Sequence, residues 1–505
     1  MAMDRRNFLS TAAVTLAAAA TSPAQAAAPR ARPASQRNSS RRPKNVVLMI
    51  CDDLGYGDLA CYGSKIPTPH LDRMAAEGMR FTRCNAGHPI CSASRAALLT
   101  GRYAQRSHTK GAYFPHAKTG MDLDETTLAN MFHGHGYRTK AIGKWHLGDA
   151  PEYLPTSRGF DSYLGVPYSD DMAPLPLIRD TDVVEPETDR DLLTQRYTQE
   201  AVYFLEQTPA AQPFFLYMAF SYPHDPARAS QAFRGRSGLG EYGDAVHEID
   251  WSVGQINQTL AKKGLLDDTL ILFTSDHGPW YQGSPANLRG RKGTTFEGGF
   301  RVPLIAQWRP GIAAGFVQDE WASNMDVLPT LAALCVLKLP SKPLDGLDIS
   351  GLLLGHQDKL HRKAVLYFTP VSSGGLDLHC ARKGSWKMRF AQLNGEIYIL
   401  DYTVGHDSFL LPRAELYNLD ADPSECFSVA KEHPDIVKAI STEVVEEIKT
   451  MPPDVIEAFA RLRHNVAHPT TPPAAAPRPQ TWPHLDWAWE PEDRRSLSPP
   501  PPLYT

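Results

Sequence analysis

Asn45-Val46-Val47-Leu48-Met49-Ile50-Cys51-Asp52-Asp53 is an apolar run that ends on two carboxylates. Six residues without polar alternation predict a strand covered on both faces, over about 45–50. Working outward, Thr68-Pro69 reads as an N-cap with proline in the first helical position, and Gly78 closes that helix. A helix is expected over 125–135 and a strand over 137–142. Further apolar strands are expected over 213–220, 269–274 and 302–308. A long helix is expected over 242–263 and a shorter one over 326–337. Strands alternating with helices predict an α/β fold: a large, mostly parallel mixed sheet sandwiched by helices. Ligands in such sheets bind beyond the carboxyl ends of the strands, so the polar residues that follow each apolar run are the candidates.

Beyond about residue 360 the pattern changes to short alternating segments such as Ser385-Trp386-Lys387-Met388-Arg389-Phe390, followed by a helix over 435–449. This predicts a smaller C-terminal antiparallel-sheet α+β domain. Eleven of the last 37 residues are proline, which predicts an extended, poorly ordered tail. The expected organisation is a signal peptide over 1–26, a linker over 27–42, a catalytic domain over 43–360, the small domain over 361–465 and the tail over 466–505.

The chain start, Asp4-Arg5-Arg6-Asn7-Phe8-Leu9, precedes a short apolar run and Ala24-Gln25-Ala26. Such a basic, apolar, small-residue order is that of an export signal, and the paired arginines point to the twin-arginine translocase. The expected location is periplasmic or secreted, from a bacterium. Fifty-two Lys and Arg against 56 Asp and Glu give a formal charge of −4. That balance argues against a nucleic-acid partner, whose affinity rests on excess cations. Seven cysteines, an odd number in an exported chain, leave at least one without an internal partner, and Cys91 is the expected one.

Two strand tips carry the chemistry. Asp52-Asp53 ends the first, and Ser275-Asp276-His277-Gly278 ends the one starting near Thr269. Carboxylates at neighbouring tips repel unless a cation compensates, and calcium tolerates an irregular oxygen shell. The Asp pair alone is equally compatible with a loop cap. The second element is His88-Pro89-Ile90-Cys91-Ser92-Ala93-Ser94-Arg95, followed by Ala-Ala-Leu-Leu-Thr-Gly-Arg. Here a cysteine stands at a helix start, where backbone N–H groups favour an anion, with Arg95 one turn on. Taken in isolation, a buried cysteine capping a helix is the commoner reading.

Cys91-Ser92-Ala93-Ser94-Arg95 and the residues after it closely resemble the signature of the type I, formylglycine-dependent sulfatases, within the alkaline phosphatase-like superfamily. The resemblance continues in order through Gly143-Lys144-Trp145-His146-Leu147-Gly148, Gly165-Val166-Pro167-Tyr168-Ser169, Pro223-His224 and Leu288 to Gly299. Leu344 to Asp348 and Glu415 to Leu419 extend it, so that residues 44–435 are covered. The Pro-Tyr-Ser and Lys-Gly-Thr-Thr-Phe-Glu-Gly-Gly segments are nearest to the arylsulfatase A and N-acetylgalactosamine-6-sulfatase branch.

The resemblance implies a sulfuric ester hydrolase that releases inorganic sulfate from a sulfate-ester small molecule or sulfated sugar. It implies that a cytoplasmic formylglycine-generating or radical-type maturase oxidises Cys91 to Cα-formylglycine, whose hydrate attacks sulfur. Calcium would be held by Asp52, Asp53, Asp276 and His277. Lys144 and Lys292 would grip sulfate oxygens, with Ser169 beside the substrate, and Arg95 would hold the nucleophile. His224 would be the general acid and His146 the base. Two positions depart from the usual pattern: Ala93 stands where many members carry Pro, and His277 where many carry Asn, a softer ligand in place of an amide oxygen. Two alternatives fit the residues less fully. One is a phosphate or phosphonate monoester hydrolase on the same scaffold; the other is a non-catalytic calcium-dependent binder of sulfated glycans. Leaving-group contacts are expected from segments 169–184 and 372–389, including His379 and Arg382.

Overall fold

The computed structural model describes residues 41–109, 111–370, 376–393 and 408–467. The expected signal peptide, nearly all of the linker and the proline-rich tail lie outside the described residues. Eleven strands form the main sheet: β1 Asn45–Cys51, β2 Met79–Asn85, β3 Arg138–Gly143, β4 Ser162–Gly165, β5 Leu177–Arg179, β6 Asp182–Glu185, β7 Phe214–Ala219, β8 Thr269–Ser275, β9 Arg301–Gln307, β10 Phe316–Gln318 and β11 Ala322–Ser323. Their order is β10-β2-β9-β8-β1-β7-β3-β4-β5-β6, with β11 also on β2. The central strands β8, β1, β7, β3 and β4 are mutually parallel, whereas β9 is antiparallel to both of its neighbours.

Why β1 is apolar throughout is explained by what covers it. Val46, Leu48 and Ile50 point into one hydrophobic layer, and Val47, Met49 and Cys51 into the other. The second layer is closed by α1 (Pro69–Glu77), α4 (Leu193–Gln207) and α5 (Gly240–Lys262). The first is closed by α2 (Cys91–Thr100), α3 (Leu128–His133) and α7 (Val327–Cys335). With both faces covered, alternation has no physical reason to appear. Among the described residues the other α-helices are α6 (Glu297–Phe300), α8 (Ser350–Leu353), α9 (Pro434–Ile448) and α10 (Pro453–Ala467).

The expected elements fall within a few residues of the observed ones, with instructive exceptions. The 125–135 helix is shorter because Thr127 and Asn130 form a reciprocal capping box that starts it at Leu128. Thr68 precedes α1 but makes no side-chain cap bond; Asp250 of α5 accepts the His70 and Leu71 amides at 3.0 and 2.8 Å instead. Four antiparallel strands, β12 Val365–Pro370, β13 Leu376–Lys383, β14 Trp386–Leu393 and β15 Ser408–Asn418, form the second sheet in that order. A third hydrophobic cluster joins this sheet and α9 to Ala97, Tyr103, Phe300 and Met325 of the larger unit. Among the described residues no helix is long and apolar enough to cross a membrane.

Candidate active site

Register sets the site. Ile50 pairs with Ala219, Cys51 with Ser275 and Gly143 with Ala219, so β1, β8, β7 and β3 finish level with one another. The chain then delivers Asp52 and Asp53, Asp276 and His277, His224, and Lys144 to one edge. Gly143 makes this possible on its strand: its φ is +100°, and a Cβ there would lie 1.8 Å from the Ala219 carbonyl.

Cys91 is the first residue of α2, and all ten residues of that helix are buried. Ile90 ahead of it is extended and offers no side-chain cap, so the first-turn N–H groups are left for an anion. The Cys91 thiol is 3.3 Å from His277 Nε2. Burial pushes the thiol well up, with Lys144 and Lys292 opposing, so an unmodified Cys91 is a poor thiolate. One turn on, Arg95 is fully buried and ties the cluster together. It donates to Asp276 Oδ2 through Nε at 3.2 Å and Nη2 at 3.0 Å, and to the Lys144 carbonyl at 3.1 Å. Its Nη2 also lies 3.2 Å from Asp52 Oδ1. Ser94 donates to the Asp276 carbonyl.

Three carboxylates and three cations occupy this volume. Lys144 pairs with Asp52 and donates to Ser169 Oγ at 2.9 Å. Lys292 reaches both oxygens of Asp53, at 2.8 and 2.9 Å. Burial alone would raise the Asp52 carboxyl, but Lys144 and Arg95 outweigh it and hold it well below the usual range. Asp53 goes the other way: burial raises it more than Lys292 and His277 lower it.

The histidines are oriented by what their other nitrogen meets. His277 Nδ1 is 2.9 Å from the Gly278 carbonyl, so that nitrogen carries the proton and Nε2 presents a lone pair. Nε2 then faces Asp53 Oδ1 at 3.5 Å and Asp276 Oδ1 at 3.6 Å. His146, in the left-handed region at φ 60°, is 2.9 Å from the Tyr113 carbonyl through Nε2, which leaves Nδ1 without a hydrogen-bond partner. Burial, then Lys144 and Arg95, push this imidazole well below its ordinary value, so it is neutral. His224 Nε2 lies 3.4 Å from Ser169 Oγ and 3.9 Å from Asp53 Oδ2.

The residues fit a hard divalent cation. Asp52, Asp53, Cys91 and His277 offer ligand atoms all within 4.8 Å of one another, and Asp52 Oδ1 is buried with no hydrogen-bond partner. Arg95 Nη2 lies 3.2 Å from that oxygen without hydrogen-bonding it, so its lone pairs stay available to a metal ion. Lys292 also lines a pocket of about 510 Å³, together with Trp280, Tyr281, Arg291 and Phe296. Arg291 braces that pocket through the Trp280 and Gly283 carbonyls, both at 2.7 Å.

The eleven residues singled out in the sequence therefore lie at one end of the sheet. Arg382 and His379 do not join them. Arg382 is fully buried on β13, donating to Asn85 at 3.0 Å, and His379 is 2.7 Å from Ser408. Arg382 is turned inward, onto Asn85 and Glu297. One residue escaped sequence reasoning: Asp170, buried, whose Oδ1 is 3.3 Å from His224 Nδ1. In Ser169-Asp170-Asp171 either acid can be the inward one, and only the loop's path selects it.

A sequence model of the sulfatase family matches residues 44–335. Arylsulfatase A of Homo sapiens is 37% identical over 440 residues, covering 79% of this chain and 86% of that protein. N-acetylgalactosamine-6-sulfatase of Canis lupus familiaris is 35% identical over 500 residues, covering 88% and 95%. Among solved structures, Ps i-CgsB in complex with k-i-k-neocarrahexaose superposes with a TM-score of 0.72 at 27% identity, covering 85% of this chain and 98% of that one.

Proposed function

The chain belongs to the sulfatase family and is a sulfuric ester hydrolase, and from this we propose a formylglycine- and calcium-dependent cleavage of sulfate monoesters at the Cys91 site. The observation that supports it is the three-against-three arrangement of Asp52, Asp53 and Asp276 with Arg95, Lys144 and Lys292 around the start of α2. A divalent cation, a monoanionic sulfate ester and one deprotonated hydroxyl add no net charge to that set. A phosphate dianion would add one negative charge. In low dielectric such an imbalance costs far more than in water.

Asp52, Asp53, Asp276 and His277 Nε2 would hold the calcium. The aldehyde at position 91 supplies, once hydrated, a geminal diol as nucleophile, and the metal supplies positive charge to the sulfate oxygens. The chain's own residues do the rest. With a cation on those carboxylates, Lys144 and Lys292 would be free to turn to the sulfate oxygens. Arg95 keeps Asp52 and Asp276 in place beneath the nucleophile. His224 Nε2 gives a proton to the leaving oxygen as the S–O bond breaks. His146 Nδ1, the nitrogen left without a partner, takes the proton of the second hydroxyl.

The substrate class we favour is a sulfated sugar. Tyr281 is exposed and stands edge-on to Trp280 at 4.8 Å, an aromatic wall beside Lys292 suited to a sugar face. A relative named for N-acetylgalactosamine 6-sulfate and a neighbour bound to an oligosaccharide point the same way. Arg5-Arg6 and the apolar run after it support twin-arginine export, with maturation of Cys91 in the cytoplasm before the folded chain leaves. The test is turnover of 4-nitrophenyl sulfate against 4-nitrophenyl phosphate by protein co-expressed with a maturase. Sulfate is expected to be preferred by at least about tenfold in kcat/KM, or about 1.4 kcal/mol. A preference for phosphate would overturn the reading.

A further inference from the structure

Asp170 has no place in the chemistry described so far, yet its position demands an explanation. The residue is 1% exposed, its side chain fully enclosed, and neither carboxylate oxygen has a hydrogen-bond partner. Its neighbour Asp171 is exposed, so the loop has turned one of two adjacent acids inward. Buried carboxylates left without donors are rare and costly. Beside it is the Nδ1 edge of His224, 3.3 Å from Oδ1, and that nitrogen is buried with no hydrogen-bond partner either. The backbone of Asp170 is fixed independently, because its carbonyl accepts from Arg190 Nε at 2.8 Å.

We infer that Asp170 is a positioning residue: it holds His224 by Nδ1 so that Nε2 faces the leaving oxygen. An imidazole with nothing at Nδ1 has two ring orientations related by a flip, and only one presents Nε2 to Ser169 and the sulfate. The carboxylate removes the second. A hydrogen-bonded third group that orients a histidine is the same logic that fixes the base in nucleophile–histidine–carboxylate sites. Burial also pushes the Asp170 carboxyl well up, and in either protonation state one of its oxygens can accept from Nδ1–H. Proton balance is simple. The acid is the His224 imidazolium: its Nε2 proton passes to the leaving oxygen while the S–O bond breaks, the ring is left neutral with its other proton on Nδ1, and Asp170 keeps its own proton count. Asp170, Asp171 and His224 also offer ligand atoms within 4.8 Å of one another, but Asp171 is exposed and Asp170 Oδ1 faces Nδ1 at 3.3 Å, which the positioning role uses.

The inference rests on the proposed role of His224 and is tested together with it. Phenyl sulfate and 4-nitrophenyl sulfate share a shape and differ in the basicity of the departing oxygen, so proton donation matters more for the first. The quantity read is the ratio of kcat on phenyl sulfate to kcat on 4-nitrophenyl sulfate, for the matured wild type, Asp170→Ala, Asp170→Asn and His224→Ala. Asp170→Ala is expected to lower this ratio by about tenfold, a part of the roughly 10²–10⁴-fold that positioned proton transfer supplies. KM should be little altered, and Asp170→Asn, whose amide oxygen can still accept from Nδ1, should restore most of the ratio. If Asp170→Ala lowers both rates in equal proportion, or neither, while His224→Ala lowers the ratio, Asp170 does not position the acid. If His224→Ala leaves the ratio unchanged, the role of His224 falls, and the inference with it.

Discussion

Lys144 and Lys292 carry the strongest single-residue expectation. Each is buried on a carboxylate, Lys144 on Asp52 and Lys292 on Asp53, and each would turn to a sulfate oxygen when a cation holds those carboxylates. Lys144→Ala or Lys292→Ala should lower kcat/KM on 4-nitrophenyl sulfate by about 10²–10³-fold, the usual cost of removing one preorganised donor from developing negative charge. Steady-state kinetics on the matured variants measure this; a loss below about threefold at either position would remove that lysine from sulfate binding. Chelation offers a second expectation at this scale. Removing divalent cations should abolish turnover, and calcium should restore it at millimolar levels or below, since three carboxylates converge here. Cys91 itself was legible because its chemistry depends on a short contiguous segment. Asp170 was not, because adjacent acids in a loop carry no periodicity that says which one turns inward.

At the scale of elements, the α1–α5 contact shows how a cap can come from another helix. Asp250 accepts the His70 and Leu71 amides at the start of α1, and burial pushes its carboxyl up to about 7. The folded chain therefore holds a proton here that the unfolded chain, near 4, has released. The contribution to stability is complete below that unfolded value and is lost as pH rises through about 7. Asp250→Asn should remove this slope, seen as unfolding midpoints in urea that fall less between pH 5 and 8 than those of the wild type. Asp250→Ala, which takes the cap away, should cost about 1 kcal/mol at any pH. The long elements could be read in sequence because their burial is uniform. The short strands β5 and β6 at the end of the sheet could not: they are three and four residues long, and Asp182, Val183 and Val184 of the edge strand β6 are exposed, so no pattern marks them. α4 carried a signal, with Leu193, Tyr197, Ala201, Phe204 and Leu205 on one face. Its start, however, has no capping side chain to announce it.

Across the whole molecule, the small sheet is joined to the loop that carries Lys292. Glu297, five residues after that lysine, is fully buried and meets Lys387 of β14 at 3.1 Å and Arg301 at 2.7 Å. Lys387 also reaches Glu425 at 3.1 Å, and the Glu425 carboxylate accepts the Glu297 amide at 2.6 Å. Burial would raise Glu297, but Lys387 and Arg301 hold it well below the usual carboxylate range. Its contribution to stability is therefore present above the unfolded value near 4.5 and is lost as pH falls through the folded one. Lys387→Ala takes the buried Glu425 carboxylate's cation away and leaves Glu297 only its arginine partners, and should cost about 3–5 kcal/mol, read as a lower denaturant midpoint. A methionine at 387, apolar and of similar length, would leave the same uncompensated charge and should be no better. A near-wild-type midpoint for both would show that this cluster does not hold the two sheets together. None of this was legible in sequence, where Lys387 looked like one member of an alternating surface strand.

The account depends most on the oxidation state of one side chain. Mass spectrometry of the peptide containing Cys91, taken from protein that actively cleaves 4-nitrophenyl sulfate, examines it directly. The expected result is the mass of an aldehyde at position 91, in a proportion that tracks specific activity across preparations. A peptide carrying only the intact thiol, from protein of full activity, would contradict the mechanism.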